Sequence, residues 1–450
     1  MQQEIPHPPE AGIVNALRFG SDPFRFLEGM QARFEDIVSV PIPGRAPLVI
    51  VTNPELIHEA LARPAAFSRV PAQGPAALIA NQGLVQSEGA LWRQQRSIMG
   101  PAFRGKQVTA YANTVGEMVD ELATEWRESG PKETRNLHEE MTAMTIRVAS
   151  EILLGEDIGR KRAEQFHEWM HIAGIEFEFS PSTVRPNWLP QQISPEFKRA
   201  AEGIRTLSED IIEQRRAKLA DEDRDQPPRD MLALLLRAES DPEVTYSENQ
   251  IRDEVATFLI AGHETTALSL TYTLGLLAQH PSIRDRVRSE AESALGNEQP
   301  QYEHLTELPY TKRVYREGLR LYPPAWAVFR QASGKARLGE YTVPAGSAVI
   351  LPQWSVHRDK RYFDNPTQFD PTRWERRSPN SVSAYFPFST GPHSCIGSQF
   401  ALSGATLSLA RLTQTFDIDV PAAELRDLRP TPTLRPHDGV SATIEPVRHG

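Results

Sequence analysis

One unusually long helical pattern runs from Ser247 to His280. Ser247, with Gln250 three residues later, is typical of a capping box, and Pro281 would stop the helix. Some thirty residues at about 1.5 Å each make a rod roughly 50 Å long. A rod of that length crosses a whole domain, so the rest of the chain has to pack around it.

The middle of this helix is polar where a packing helix is usually apolar. Residues 261–266 read AGHETT, in which Gly262 is a poor helix former and a threonine hydroxyl can bond back to the carbonyl four residues earlier. We therefore predict a local distortion, with a groove that could admit a diatomic ligand and a water molecule. One alternative stays open, a polar kink in a packing helix. A zinc-protease motif is excluded, because it needs a second histidine where Ala267 stands.

The chain has a single cysteine, which cannot form an internal disulfide. Its neighbours have the spacing Phe388-x-x-Gly391-x-His393-x-Cys395-x-Gly397, and the residues that follow have helical apolar spacing. The sulfur is therefore expected at a helix N-terminus, where the dipole lowers a thiol pKa. Gly391 suits a tight turn, Gly397 a close approach of the backbone to a flat cofactor, and Phe388 would keep water from the sulfur. The alternative is a small buried hydrophobe, the usual fate of a free cysteine.

This spacing resembles the haem-binding loop of the cytochrome P450 family, in which the cysteine thiolate is the axial ligand of the iron. Ala261, Glu264 and Thr265 are similar to the acid–alcohol segment of the same family. The resemblance implies that the Thr265 hydroxyl, fed by the Glu264 carboxylate, delivers the protons that O–O cleavage needs. It extends from about Leu27 to the C-terminus, and implies an α+β fold, mainly α with a smaller β portion, with the long central helix over the haem.

Four further residues match the positions that bind the haem propionates in this family. Propionates need cationic or donor partners. The matching residues are Trp92, Arg96, Arg330 and His393, the last standing where many members have arginine. Taken singly, each of them would more often be an ordinary surface residue than a ligand.

Glu317, Arg320 and Arg373 match a buried Glu–Arg–Arg cluster that braces the segment before the haem loop. Glu317 and Arg320 are three residues apart on one helix face, a spacing that also gives weak surface ion pairs. The resemblance implies a structural rather than a catalytic role for the three residues.

The composition excludes several classes of protein. A net charge of −10 argues against non-specific nucleic-acid binding. The sequence shows no apolar run long enough to span a bilayer and no signal-like pattern at residues 1–12. A single reduced cysteine fits a cytoplasmic protein.

No linker or repeat divides the sequence, so we expect one haem domain over residues 1–450. The most plausible break is 220–230, which is typical of a solvated connection between helices. Periodicity and turn residues predict β-rich parts, the first with a hairpin turn at 43–45, and intervening helical parts. Their approximate ranges are 30–65 and 325–390 for the β-rich parts, and 75–320 and 396–415 for the helical parts.

The resemblance implies a monooxygenase that inserts one atom of O2 into a hydrophobic substrate, with haem b as cofactor. Electrons are expected from a separate ferredoxin and its reductase, for which Arg93, Arg104 and Lys106 could form a basic docking patch or simply a solvated helix face. The alternatives are a peroxide-driven peroxygenase, a P450-fold isomerase, and a haem sensor or carrier. The first two commonly lack the acid–alcohol pair, and a sensor or carrier has no need of it.

Three apolar segments are expected to line the substrate pocket, although about half of their positions should be ordinary core. An unpaired buried polar group would cost a few kcal/mol, so these segments favour an apolar substrate. Residues 317–326 (EGLRLYPPAW) look most like P450s that hydroxylate carotenoids, and next like fatty-acid hydroxylases, so we expect a long lipid. The three segments are 76–85, 166–180 with the aromatic residues Phe166, Trp169, Phe177 and Phe179, and 323–329.

Overall fold

The computed structural model describes residues 3–71, 74–130, 132–178, 193–222, 228, 230–241 and 246–447. Helices dominate, and the expected mainly α fold with a smaller β portion is confirmed. The helices of the described residues are α1 (Gly12–Ser21), α2 (Pro23–Phe34), α3 (Pro54–Ala62), α4 (Pro75–Ala80), α5 (Gly89–Met99), α6 (Lys106–Glu128), α7 (Leu137–Leu154), α8 (Gly159–Glu176), α9 (Pro195–Asp221), α10 (Met231–Glu239), α11 (Glu248–Gln279), α12 (Pro281–Leu295), α13 (Pro309–Leu321), α14 (Gln353–Val356), α15 (Arg373–Arg376) and α16 (Ser398–Thr415).

The strands are short and form several small sheets. They are β1 (Ile37–Val40), β2 (Leu48–Val51), β3 (Phe67–Ser68), β4 (Glu133–Asn136), β5 (Val328–Ala332), β6 (Ala336–Leu338), β7 (Tyr341–Val343), β8 (Ala348–Leu351), β9 (Phe416–Asp419), β10 (Leu428–Pro430), β11 (Leu434–Pro436) and β12 (Ser441–Pro446).

The largest sheet joins the two β-rich parts of the chain. Its strand order is β1-β2-β8-β5-β3. Strands β1 and β2 form the predicted antiparallel hairpin, with Val40 opposite Leu48, and β2 pairs in parallel with β8, with Ile50 opposite Ile350. Strand β5 is the next element after α13. The sheet therefore adjoins the helical part of the protein at residues 328–332.

Three details of the predicted organisation differ from the structure. Helix α3 lies inside the first part expected to be β-rich, and the second part has no strand among its described residues after Leu351. Strands β4 and β9 to β12 were not predicted. Strand β4 reads ETRN, with no apolar alternation, and exists because β12 pairs with it. The predicted connection at 220–230 lies mostly outside the described residues.

Helix α11 begins and ends where the sequence predicts. Ser247 and Gln250 form the reciprocal capping box, and His280 caps the other end. The expected distortion of its middle is not seen, because α11 is continuous from Glu248 to Gln279. Gly262 instead lets α7 pack closely, since a Cβ there would lie 3.3 Å from the Cβ of Ala149.

Most of α11 is buried between other helices, with α7, α9 and α13 among its neighbours. Within the described part of the chain, we find no helix that combines the length and the apolar character needed to cross a membrane.

Candidate active site

A cavity of about 540 Å³ lies between α11 and the loop that carries Cys395. Its walls are mainly apolar, with a few polar groups at defined places, as is common for small-molecule sites. Helix α11 contributes Thr257, Phe258, Ala261, Gly262, Thr265 and Thr266 to the wall, and the loop contributes Phe388, Ser389, His393, Ser394, Cys395, Ile396 and Gly397.

The loop before α16 turns so that Cys395 faces the cavity. The backbone N–H of Cys395 donates to the carbonyl of Phe388 at 2.9 Å, which closes the turn. Gly391 has a φ of 74°, and a Cβ there would collide with the carbonyl oxygen of Leu61, so only glycine fits. The tight turn predicted at Gly391 is therefore present.

Burial raises the pKa of the Cys395 thiol, and the Gly397 N–H and the Arg96 guanidinium oppose this only in part. The Gly397 N–H at the start of α16 acts in the predicted direction, but desolvation outweighs it, so the net shift is upward. A metal cation bound to the sulfur reverses this balance, since a coordinating thiol is deprotonated outright.

One end of the cavity collects positive charge. Arg69, Arg96 and Arg330 all line it. Burial, and then the neighbouring charge of Arg330, lower the pKa of Arg69 to about 10. Like charges gathered in a largely buried place are unfavourable unless an anion joins them, so this end of the cavity is suited to an anionic ligand.

Two further predicted donors lie at the same end. The ring of Trp92 meets the ring of His393 with centroids 4.3 Å apart. The Trp92 Nε1–H is buried and has no partner among the described residues, so it is available to a ligand atom. Burial, followed by the charges of Arg69, Arg330 and Arg96, lowers the pKa of His393 to about 3, so His393 is a neutral donor here rather than a further cation.

The structure thus brings together Trp92, Arg96, Arg330 and His393, as the sequence predicted. Arg69 belongs to the same group and was missed. It stands just after β3, far along the chain from the cysteine loop, and no motif marks it. The donor set fits haem b: the cysteine loop faces a mainly apolar cavity, and the arginines and the unpartnered indole N–H at its edge can bind carboxylates.

The predicted acid–alcohol pair is divided between two sides of α11. Thr265 lines the cavity, and its hydroxyl donates to the carbonyl of Ala261 at 3.1 Å. Glu264 does not line the cavity, because adjacent helix residues point in different directions. No hydrogen bond joins Glu264 to Thr265 in the described structure.

The Glu264 carboxylate is buried in an ion pair with Arg435 and also accepts a hydrogen bond from the Thr433 hydroxyl at 2.8 Å. Burial alone would raise its pKa, but the Arg435 guanidinium lowers the pKa of Glu264 to about 2. Glu264 is therefore a carboxylate at neutral pH, and it joins α11 to β11 rather than to the cavity.

The predicted Glu–Arg–Arg cluster is assembled beneath the cysteine loop. Arg320 and Glu317 are fully buried and joined at 2.8 Å, and Arg373 Nε lies 2.8 Å from the same carboxylate. The indole N–H of Trp374 donates to Glu317 at 3.0 Å, and the other donors of Arg320 reach backbone carbonyls such as that of His357. The cluster ties α13 to the segment that precedes the cysteine loop.

Two of the three segments expected to line the pocket do so. Residues Leu84 and Val85 line it from the first segment, and residues of 324–329 from the third. In the middle segment, Phe166 packs on His263 and Phe177 on Phe197.

None of the described residues of 166–178 borders the cavity, so that expectation is wrong for them. Aromatic residues at helical spacing pack equally well in a core, and Trp169 fills the space beside Gly203. Phe179 lies outside the described residues.

Comparison with known proteins gives an independent result. A family model described as "Cytochrome P450" matches residues 6–443. Cyclooctat-9-en-7-ol 5-monooxygenase of Streptomyces melanosporofaciens is 32% identical over 398 residues, covering 87% of this chain and 84% of that protein. Cyclooctatin synthase of the same organism is 31% identical over 442 residues, covering 96% and 92%. Pentalenene oxygenase of Streptomyces avermitilis is 28% identical over 412 residues, covering 90% and 89%. The cysteine loop, the arginine cluster and the apolar cavity lie in one place, and the family model matches most of the chain. The protein therefore belongs to the cytochrome P450 family.

Proposed function

We propose that the protein is a haem-thiolate monooxygenase that hydroxylates a compact, hydrophobic, terpenoid-like substrate. The observation that carries the proposal is that Cys395 and the Thr265 hydroxyl border one and the same apolar cavity. A haem sensor or carrier has no need of a hydroxyl group and an apolar chamber together. The related monooxygenases and oxygenases support an oxidative reaction in place of an isomerisation.

Haem b, when bound, supplies the oxygen chemistry, and the chain supplies binding, orientation and proton control. Cys395 would hold the iron, and Trp92, Arg96, Arg330 and Arg69 would hold the propionates. Phe388 and Gly397 would border the sulfur and limit its access to water. Each of these assignments follows from a side chain that lines the cavity or from an unpartnered donor beside it.

The proton-handling part of the proposal rests on Thr265. Its hydroxyl is one of two that the AGHETT segment brings to the cavity, the other being that of Thr266, and the family resemblance favours Thr265. Because Arg435 keeps Glu264 ionised, Glu264 would pass protons on to Thr265 rather than supply one of its own. To reach Thr265, its side chain would have to break the ion pair with Arg435.

Replacing Thr265 with alanine is expected to leave haem and substrate binding intact but to lower the product formed per electron pair by about tenfold or more, with hydrogen peroxide released instead. The reason is that only the proton donor is removed. Thr271→Ala is the matched control, because Thr271 makes the same bond to the carbonyl four residues earlier, at 2.8 Å, and lies outside the cavity. Product and peroxide are measured together, and equal coupling in the two variants would remove Thr265 from the mechanism.

The names of related proteins support a compact substrate. Two of the relatives carry names of cyclic terpenoid oxidations. The carotenoid substrate expected from residues 317–326 has weaker support of this kind, from a relative named Protein LUTEIN DEFICIENT 5 of Arabidopsis thaliana that is 27% identical over 387 residues.

The substrate class is tested by titrating the ferric holoprotein with a compact cyclic terpenoid alcohol, with β-carotene and with a long-chain fatty acid, while following the haem Soret band. We expect a saturable shift with the compact terpenoid and none with β-carotene. A response confined to β-carotene or the fatty acid would overturn the compact-substrate proposal and return it to the long-lipid interpretation.

The proposal also includes separate electron donors, a ferredoxin and its reductase, in one cytoplasmic compartment where Cys395 stays reduced. Arg93, Arg104 and Lys106 are exposed on α5, at the turn that follows it and at the start of α6. They offer positive charge to an acidic partner, and long-range steering of this kind weakens with salt. We further propose that residues 1–450 act as one haem domain, since β1 and β2 share a sheet with β8, and β4 shares another with β9 and β12.

A further inference from the structure

We propose that Asp253 and Glu254 of α11 are positioning residues that hold the cavity-lining segment Gln82–Ser87 in place and thereby set which substrate shapes the cavity accepts. The inference rests on the proposed function. It names two residues that do not touch the cavity themselves and that act through the backbone of that segment.

Two adjacent carboxylates receive two backbone donors of the segment. The N–H of Gln82 donates to Asp253 Oδ2 at 2.9 Å, and the N–H of Leu84 donates to Glu254 Oε2 at 2.9 Å. Glu254 is fully buried. Side-chain acceptors on α11 therefore satisfy these N–H groups of a segment that lies outside the helices and strands.

The backbone of the segment 82–87 can lie this close to α11 because one of its residues is glycine. Gly83, between the two bonded residues, lies so near α11 that a Cβ would overlap the hydroxyl of Thr257 and come within 2.8 Å of the carbonyl oxygen of Asp253. A side chain at position 83 would push the segment away and break both carboxylate bonds. The glycine and the two carboxylates therefore work as one contact.

The other side of the segment is held by different elements. Gln95 Nε2 donates to the carbonyl of Gln82 at 2.6 Å, and Arg69 donates to the carbonyls of Leu84 and Ser87, the latter at 3.0 Å. Groups from α5 and from the chain after β3 thus oppose α11. Removing Glu254 leaves the Leu84 N–H without its acceptor on α11, so the backbone at Leu84 can shift relative to the cavity.

The held segment forms part of the cavity wall. Leu84, Val85 and Gln86 line the cavity near Thr257 and Phe258 of α11. Leu84 is buried, and Val85 is half exposed. A shift of their backbone changes the width of the cavity at this point, and an apolar pocket discriminates between substrates through such differences in shape.

Glu254 can hold the segment as an uncharged acid. Burial raises the pKa of Glu254 to about 8, against the opposing effects of the Leu84 N–H and the Tyr246 hydroxyl. The Tyr246 hydroxyl lies 3.1 Å from Glu254 Oε1, and the charged neighbours are Asp253 and Arg69. Near neutral pH the group is mainly the uncharged acid, which the amide of glutamine imitates in shape and in hydrogen bonding.

Three variants of the haem-loaded protein test the proposal. Glu254→Ala removes the acceptor of the Leu84 N–H and leaves Asp253 on Gln82, Glu254→Gln keeps an acceptor for Leu84, and Glu290→Ala is the matched control. Glu290 likewise accepts two backbone N–H groups, of Tyr310 and Thr311, both at 2.7 Å, and lies outside the cavity wall. The readouts are hydrogen exchange of the amides of 82–87 and the ratio of dissociation constants for a compact and a bulkier terpenoid alcohol.

We expect Glu254→Ala to speed exchange of the Leu84 amide by about tenfold or more and to change the ratio of dissociation constants by a similar factor. Glu254→Gln and Glu290→Ala should keep both near wild type, even where Glu290→Ala lowers the melting temperature. Unchanged exchange in Glu254→Ala, or faster exchange with an unaltered ratio, would overturn the proposal. If the wild type binds neither alcohol, the proposed function has failed, and the exchange result still decides whether Glu254 holds the segment.

Discussion

Replacing Cys395 with alanine is expected to abolish the red-shifted Soret band that the ferrous–CO complex of a thiolate-ligated haem shows. The chain has no second cysteine to take its place. The loop geometry also brings no other thiol or thioether of the described residues to the cavity wall. The measurement is a CO difference spectrum of the purified variant beside the wild type, at matched haem concentration.

Ser394→Ala serves as the control, because Ser394 precedes the cysteine and lines the same cavity without being a candidate for thiolate ligation. It should keep the band. A band that survives in Cys395→Ala would show that Cys395 is not the thiolate ligand of the iron.

Replacing Glu317 with alanine is expected to destabilise the protein by about 3–5 kcal/mol, which is a large part of the stability of a typical domain. The change leaves Arg320, which is fully buried, without its carboxylate, and it also removes the acceptor of Arg373 and Trp374. The measurement is denaturant or thermal unfolding, together with haem retention.

Glu375→Ala is the matched control, because Glu375 also pairs with two arginines, Arg286 and Arg313, but all three are partly exposed. Glu375→Ala should lower the free energy of unfolding by at most about 1 kcal/mol. Glu317→Gln keeps one acceptor oxygen and should fall between the two. Equal losses in Glu317→Ala and Glu375→Ala would remove the structural role assigned to the buried cluster.

The parts of the fold with local signals could be predicted from the sequence. Helix α11 has a capping box at one end and Pro281 at the other, so its limits depend on residues close to each other in the chain. The turn at Gly391 was predictable because glycine readily adopts the positive φ that such a turn needs. In such places local chemistry decides the structure.

The parts that depend on distant partners could not be predicted. Glu264 and Thr265 are adjacent in sequence, which suggested a working pair, yet Glu264 points to Arg435, a residue far along the chain. Arg69 belongs to no recognisable motif. It lines the cavity only because the chain runs past the cavity after β3. Strand β4 has no apolar alternation and forms through its partner β12.

Oxygen-isotope incorporation tests the central claim, monooxygenation at the cavity between Cys395 and Thr265, most directly. The holoprotein is supplied with a ferredoxin, its reductase and NADPH under an atmosphere of oxygen-18 gas, with the terpenoid alcohol that shifts the Soret band. We predict a hydroxylated product in which the new oxygen atom carries the label, and an equal amount of labelled water. A product whose new oxygen comes from the solvent, or an isomerised product with no new oxygen, would contradict the account.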